Sequence, residues 1–217
     1  MTSAVRVPRP MVLAGAVVFL LALGLVVLTI GQPSSAASSA SGTSSSAAPA
    51  ETSADVGFAR DMAVHHQQAV EMSFVVRDRT DDADVRRLAY DIINTQANQR
   101  GMMLGWLETW GRPKSSERPP MAWMGHPVTP TGDGSLMPGM ATDAEMDELR
   151  KAGGTAAEIL FLRLMTVHHR AGAEMARAGA GAAGTAEIKN LAAGMVRGQE
   201  SEIGLMADML KERGAGA

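Results

Sequence analysis

FARDMAVHHQQAVEM at residues 58–72 and FLRLMTVHHRAGAEM at residues 161–175 are two copies of one pattern, identical at eight of fifteen positions at an offset of 103. The matched residues are Phe58/Phe161, Arg60/Arg163, Met62/Met165, Val64/Val167, His65/His168, His66/His169, Glu71/Glu174 and Met72/Met175. Four of the five histidines of the chain lie among them. The same offset continues downstream through Leu88/Leu191, Ala89/Ala192, Gln96/Gln199, Gly101/Gly204, Met103/Met206, Leu107/Leu210 and Gly111/Gly214. A period this long exceeds that of solenoid repeats and suits duplication of a whole helical hairpin.

The apolar spacing supports that reading. Asp61, His65, Gln68 and Met72 recur at i, i+4, i+7 and i+11, and Met62, His66, Ala69 and Ser73 form the adjacent stripe. At about 100° per residue, His65 and His66 straddle one inward face of a helix. The pattern predicts a first helix over 55–79 and a second over 82–110, ended by Gly111 with Pro113 beyond. Leu88, Ile92, Gln96, Gln99, Met103, Trp106 and Trp110 mark the inner face of the second. The connector at 112–141 is rich in Pro, Gly and Met, with Met121-x-x-Met124-x-His126 and Met137-x-x-Met140. Thr142 and Glu145 have capping-box spacing and open a short helix over 142–152, which Gly153-Gly154 breaks. A third main helix is expected over 155–178, and a fourth, after the AGAGAAG stretch, over 185–213. The expected fold is therefore all-α: a four-helix bundle over 55–213, built from hairpins 55–111 and 155–213 related by a pseudo-two-fold axis.

Two segments precede the bundle. Arg6 and Arg9 flank an uninterrupted apolar run, Met11–Ile30, long enough to cross a bilayer core as one helix. Residues 1–30 thus read as an N-terminal transmembrane anchor or signal helix, with the basic flank in the cytoplasm and the rest of the chain outside it. Small residues in Ser34–Ala40 offer a cleavage site, which would make the domain secreted instead of single-pass. Residues 31–54 are Ser/Ala-rich and read as a flexible tether.

Composition narrows the chemistry. The chain has no cysteine, so disulfides, thiolate metal sites and cysteine nucleophiles are excluded. From residue 51 onward 23 acidic and 18 basic residues leave a net charge of −5, which gives no footprint for nucleic acid. There is no Gly-x-Ser-x-Gly, no phosphate-binding glycine loop and no His-Glu-x-x-His, and no enzyme is expected.

What remains is a set of imidazoles and thioethers. The first copy offers Met62, His65, His66 and Met72, and the second Met165, His168, His169 and Met175. The partner helices add Gln96, Gln99 and Met103, then Gln199, Glu202 and Met206. Imidazole suits Cu, Zn, Fe and Ni, and thioether selects the softer Cu(I). Glu71 and Glu174 are poor co-ligands: Glu71 lies about 140° and 120° around the helix from His66 and His65, whereas di-iron bundles use Glu-x-x-His on one face. That motif is absent from the sequence. The competing reading is structural, since methionine at helical spacing is ordinary core filler and Gln96 or Gln199 can satisfy an inward histidine.

At DMAVHHQQAVEM, PGMAT (138–142) and FLRLMTVHHRAGAEM the chain resembles the bacterial domain-of-unknown-function family number 305, over about residues 55–213. The resemblance implies a ferritin-like bundle behind a signal or anchor, with some members binding copper outside the cytoplasm and serving copper resistance. By matching motif it implies Met62, His65, His66, Met72, Met165, His168, His169 and Met175 as the metal residues. Two departures stand out: Leu164 where the first copy has Asp61, and Gln99 where the second has Glu202.

The resulting expectation is an exported, membrane-tethered protein that binds copper through His65, His66, His168 and His169 with Met62, Met72, Met103, Met165, Met175 and Met206. Its partners would be a metal ion, the membrane through the N-terminal helix and, as an open question, further copies of the chain. Because imidazole ligates only when neutral, affinity is expected to weaken below about pH 6.5. The alternative is a non-catalytic structural or interaction bundle whose histidine pairs form a buried polar network.

Overall fold

A computed structural model describes residues 47–216. The apolar run and most of the expected tether lie outside these residues, and no helix within them is long and apolar enough to cross a membrane. The described residues form five α-helices, one 3-10 turn and no strand. Helices α1 (Ala54–Arg77) and α2 (Ala83–Thr109) make the first hairpin, α3 (Asp143–Lys151) is short, and α4 (Thr155–Ala182) and α5 (Ala186–Glu212) make the second. The 3-10 turn, Ala122–Met124, lies in the connector.

The ends of these helices follow local chemistry. Ser53, Asp82, Thr142 and Thr185 accept backbone N–H groups at the starts of α1, α2, α3 and α5, and Thr142 with Glu145 forms the capping box its sequence predicts. Both α2 and α5 close in the same way. Gly111 and Gly214 take positive φ (62° and 67°), while Arg112 N–H donates to Leu107 O at 2.8 Å and Ala215 N–H to Leu210 O at 2.9 Å. These are paired Schellman motifs at the same offset of 103. The last residues before α1 are held too, not free tether: Pro49 O accepts from Arg112 Nε at 2.8 Å and Glu51 pairs with Arg60 at 2.6 Å.

One boundary differs by a full turn. The Gly/Ala stretch expected to follow the third helix is part of α4, which runs through Gly179 to Ala182. Gly179 packs flat against the Phe58 ring, where a Cβ would lie 2.5 Å from a ring carbon. The glycine there serves close approach between α1 and α4, and tertiary packing outweighs its poor helix propensity.

The two hairpins face each other through α1 and α4, which run antiparallel in the middle of the domain. The core divides into two apolar clusters. One joins the start of α1 to the end of α4, with Phe58, Met62, Met103, Met137, Met175, Ile188 and Met195. The other joins the end of α1 to the start of α4, with Met72, Ile92, Phe161, Met165, Met206 and Leu210. Between them lies a polar layer.

Candidate metal centre

All four repeat histidines are fully buried in this layer. The rings of His65 and His168 stack with centroids 3.7 Å apart and planes inclined by 32°. The centroids of His168 and His169 are 6.2 Å apart. His66 and His169 bond outward to the flanking helices, His66 Nε2 to Gln99 Oε1 at 2.8 Å and His169 Nε2 to Glu202 Oε2 at 2.6 Å. His168 Nε2 meets the His65 carbonyl oxygen at 3.0 Å.

These partners decide the tautomers. The His65 carbonyl and the Glu202 carboxylate only accept, so His168 and His169 each carry a proton on Nε2, and so does His66 with the Gln99 amide oxygen turned toward it. All three Nδ1 atoms are buried without a partner among the described residues; the His65 ring nitrogens also lack one at full hydrogen-bond geometry, although the Pro138 backbone faces that ring. Gln96 and Gln199, 2 % and 4 % exposed, add their unpaired amide groups. Nine of the twelve buried side-chain N and O atoms left unpaired among the described residues belong to this one layer. Such groups are costly to bury, so their concentration marks a place where a ligand would be stabilising.

Electrostatics keeps the lone pairs free. Burial, with the neighbouring His66 and His169 adding to it, depresses His65 to about 3. Burial likewise lowers His66 to about 4, against the Gln99 bond. His168 falls well below the ordinary imidazole range for the same first cause, with the other three rings contributing. His65, His66 and His168 therefore meet the first requirement of a metal ligand, neutrality, well below pH 6.5, the value expected from an ordinary imidazole.

The donors do not converge in this conformation. Among the described residues no group of three or more His, Asp or Glu side chains surrounds a common point. Stacked rings direct their in-plane lone pairs side by side, not at one another, so His65 and His168 need a ring rotation to share an ion. The methionines are also divided. Met62, Met103 and Met175 lie in the cluster on one side of the layer, and Met165, Met206 and Met72 in the cluster on the other. Each triad draws on both hairpins, and the two are related by the repeat. Met62 and Met72 are ten residues apart, about 15 Å along a helix, so they flank the layer from opposite ends.

The connector covers the layer from one side. Gln68 and Ala141 exchange two hydrogen bonds, Gln68 Nε2 to Ala141 O at 2.8 Å and Ala141 N–H to Gln68 Oε1 at 2.7 Å. Gly139 (φ 81°) lies so close to α4 that a Cβ would meet Ala171 Cβ at 2.4 Å and Val167 O at 3.0 Å. Met137 is buried beneath this lid. Asp61, half-buried and raised in pKa by desolvation, holds the rest of the connector by accepting from Met121 N–H at 2.7 Å and Trp123 Nε1 at 2.9 Å. The connector exists once, which explains why the second copy has Leu164 at the equivalent position. Glu71 pairs on the surface with Arg150 at 2.5 Å and Glu174 is exposed, so neither carboxylate joins the layer. Glu202 stands opposite the second histidine pair, outside the ligand set that the sequence predicts. Its equivalence to Gln99 at the offset of 103 was the available signal.

Solved structures share this architecture. A DUF305 protein from Streptomyces coelicolor is 60 % identical, with a TM-score of 0.71, over 77 % of this chain and 98 % of its own. A DUF305 fragment from Deinococcus radiodurans is 32 % identical, with a TM-score of 0.63, over 76 % of this chain and 99 % of its own. CopM in its Cu(II)-bound form is 25 % identical, with a TM-score of 0.58, over 73 % of this chain and 96 % of its own. No curated protein matches the chain. Residues 55–210 match the domain of unknown function DUF305, and the chain belongs to that family.

Proposed function

We propose that this protein binds copper in its central polar layer and buffers or sequesters the metal outside the cytoplasm, without catalysing a reaction. His65, His66, His168 and His169 are the primary donors. Met62, Met103 and Met175 on one side, and Met72, Met165 and Met206 on the other, supply thioethers suited to Cu(I). The apolar run at 11–30 would tether the domain to the membrane. One observation carries the reading: five buried imidazole nitrogens without a geometric hydrogen-bond partner, with His65, His66 and His168 kept neutral by burial. The copper-bound state of CopM, a protein of the same fold, supports the choice of metal.

The test is metal uptake. The protein is equilibrated with Cu(I), Cu(II) or Zn(II), freed of unbound metal and assayed for metal per chain, beside His65→Ala/His66→Ala and His168→Ala/His169→Ala. Stoichiometric copper in the wild type, lost or weakened in both variants, supports the proposal. No tight copper in the wild type, or unchanged binding in both variants, ends it. The second reading, a structural polar network, draws on the lack of a preformed three-ligand point among the described residues and on the bonds His66 and His169 already make. It requires the variants to lose the same stability with and without copper.

A further inference from the structure

The two halves of the layer differ in one charge. His66 is held by an amide, Gln99, and His169 by a carboxylate, Glu202, although both pairs occupy the same place in the duplicated hairpin. We infer that Glu202 makes the His169 half of the layer the one that favours Cu(II), while the His66 half, faced by neutral Gln99, is left to Cu(I). This rests on the copper reading above and adds a residue and a division of labour to it.

Glu202 is three-quarters buried, and its Oε2 accepts the Nε2 proton of a fully buried ring at 2.6 Å. That bond leaves Nδ1 as the donor atom and transfers electron density toward it, as a carboxylate behind a ligating histidine does in metalloproteins. A negative charge one imidazole away stabilises a divalent ion more than a monovalent one, and low local polarity enlarges the difference. Gln99 fixes the same tautomer of His66 without the charge. The other groups facing the layer, Gln96, Gln199, the lid backbone and the methionine triads, are neutral. Glu71 and Glu174 lie on the surface. A second local difference reinforces the inequivalence. Gly172 stands where the first copy has Ala69, and a Cβ there would lie 2.5 Å from Gln199 Oε1 and 3.1 Å from His65 Cε1. The second half therefore admits the Gln199 amide and the His65 ring where the first half carries a methyl group.

Glu202 acts here through His169, so it is a positioning residue, and its test must separate charge from structure. The full chain, purified in detergent, is titrated with Cu(II) and separately with Cu(I) against a competing chromophoric chelator, as wild type, Glu202→Gln and Gln99→Glu. Glu202→Gln keeps an acceptor for His169 and is expected to lower Cu(II) affinity about tenfold relative to Cu(I), equivalent to a rise of about 59 mV in the potential of the bound copper. Gln99→Glu is expected to shift the ratio the other way, and it decides the matter if Glu202→Gln fails to fold. The electron paramagnetic resonance spectrum of Cu(II) should change in Glu202→Gln. Wild type that binds copper while neither variant moves the Cu(II)/Cu(I) ratio overturns this inference alone. Wild type that binds no copper overturns it together with the proposed function.

Discussion

The imidazoles of His65 and His168, 103 residues apart in the chain, stack at 3.7 Å where α1 and α4 face each other. The stack is the meeting point of the two repeats, but it is not symmetric. His168 donates to the His65 carbonyl, whereas His65 makes no equivalent bond to His168, and its Cε1 lies beside Gly172.

The buried rings tie stability to pH. The unfolded chain takes up protons on these histidines near pH 6.5, whereas the folded chain holds His65 at about 3, His66 at about 4 and His168 well below its ordinary range. Between those limits the unfolded state binds more protons, so stability is full above about pH 6.5 and falls as pH falls toward 4. Each ring contributes a slope of roughly 1 kcal/mol per pH unit in that window. Denaturant unfolding of the metal-free protein at pH 7.5, 6 and 5 should show a steep decline. A flat profile would mean the rings are not buried as described. Copper uptake by the folded protein is expected to persist below pH 6.5 for the same reason.

Glycines in the helices should respond in opposite directions. Gly101 in α2 and Gly204 in α5 have nothing within 4 Å of a new Cβ, so Gly101→Ala and Gly204→Ala should each stabilise by about 0.5–1 kcal/mol. Gly172→Ala should destabilise by about 1–3 kcal/mol, since its methyl would overlap the Gln199 amide and press on His65. Thermal unfolding of the three variants checks this, and a stabilised Gly172→Ala would contradict the packing of the layer.

Asp61 gives a third test. Its pKa is raised by burial, so the ionised form is the disfavoured one, and its contribution to stability grows as pH falls, opposite to that of the histidines. Asp61→Asn keeps an acceptor for Met121 and Trp123 and should be close to neutral. Asp61→Leu, the residue of the second copy, strands two N–H donors and should cost about 1–3 kcal/mol. Trp123 fluorescence should shift in the leucine variant and stay in place in the asparagine variant.

Much of this was legible in the chain. The offset of 103 carried the duplication, the hairpins and the paired glycine stops, because each depends on local sequence. The lengthened α4 was hidden, since only the Phe58 ring across the interface explains a helical Gly179. The methionines shared a stripe with the histidines in sequence, but the antiparallel run of α1 and α4 separates them into two triads, a fact that helical spacing alone does not reveal. Asp61 looked like a broken symmetry of the site and is instead a clamp for a connector that occurs once.

The most direct measurement is nitrogen NMR of the histidine side chains in the fragment 47–217, without metal and with stepwise Cu(I). Copper ligation through Nδ1 requires that His66, His168 and His169 carry protons on Nε2 in the metal-free protein, and that Cu(I) shifts their Nδ1 resonances, and those of His65, while these Nε2 protons stay in place. Protons on Nδ1 in the metal-free state, or Nδ1 resonances indifferent to one equivalent of Cu(I), would contradict it.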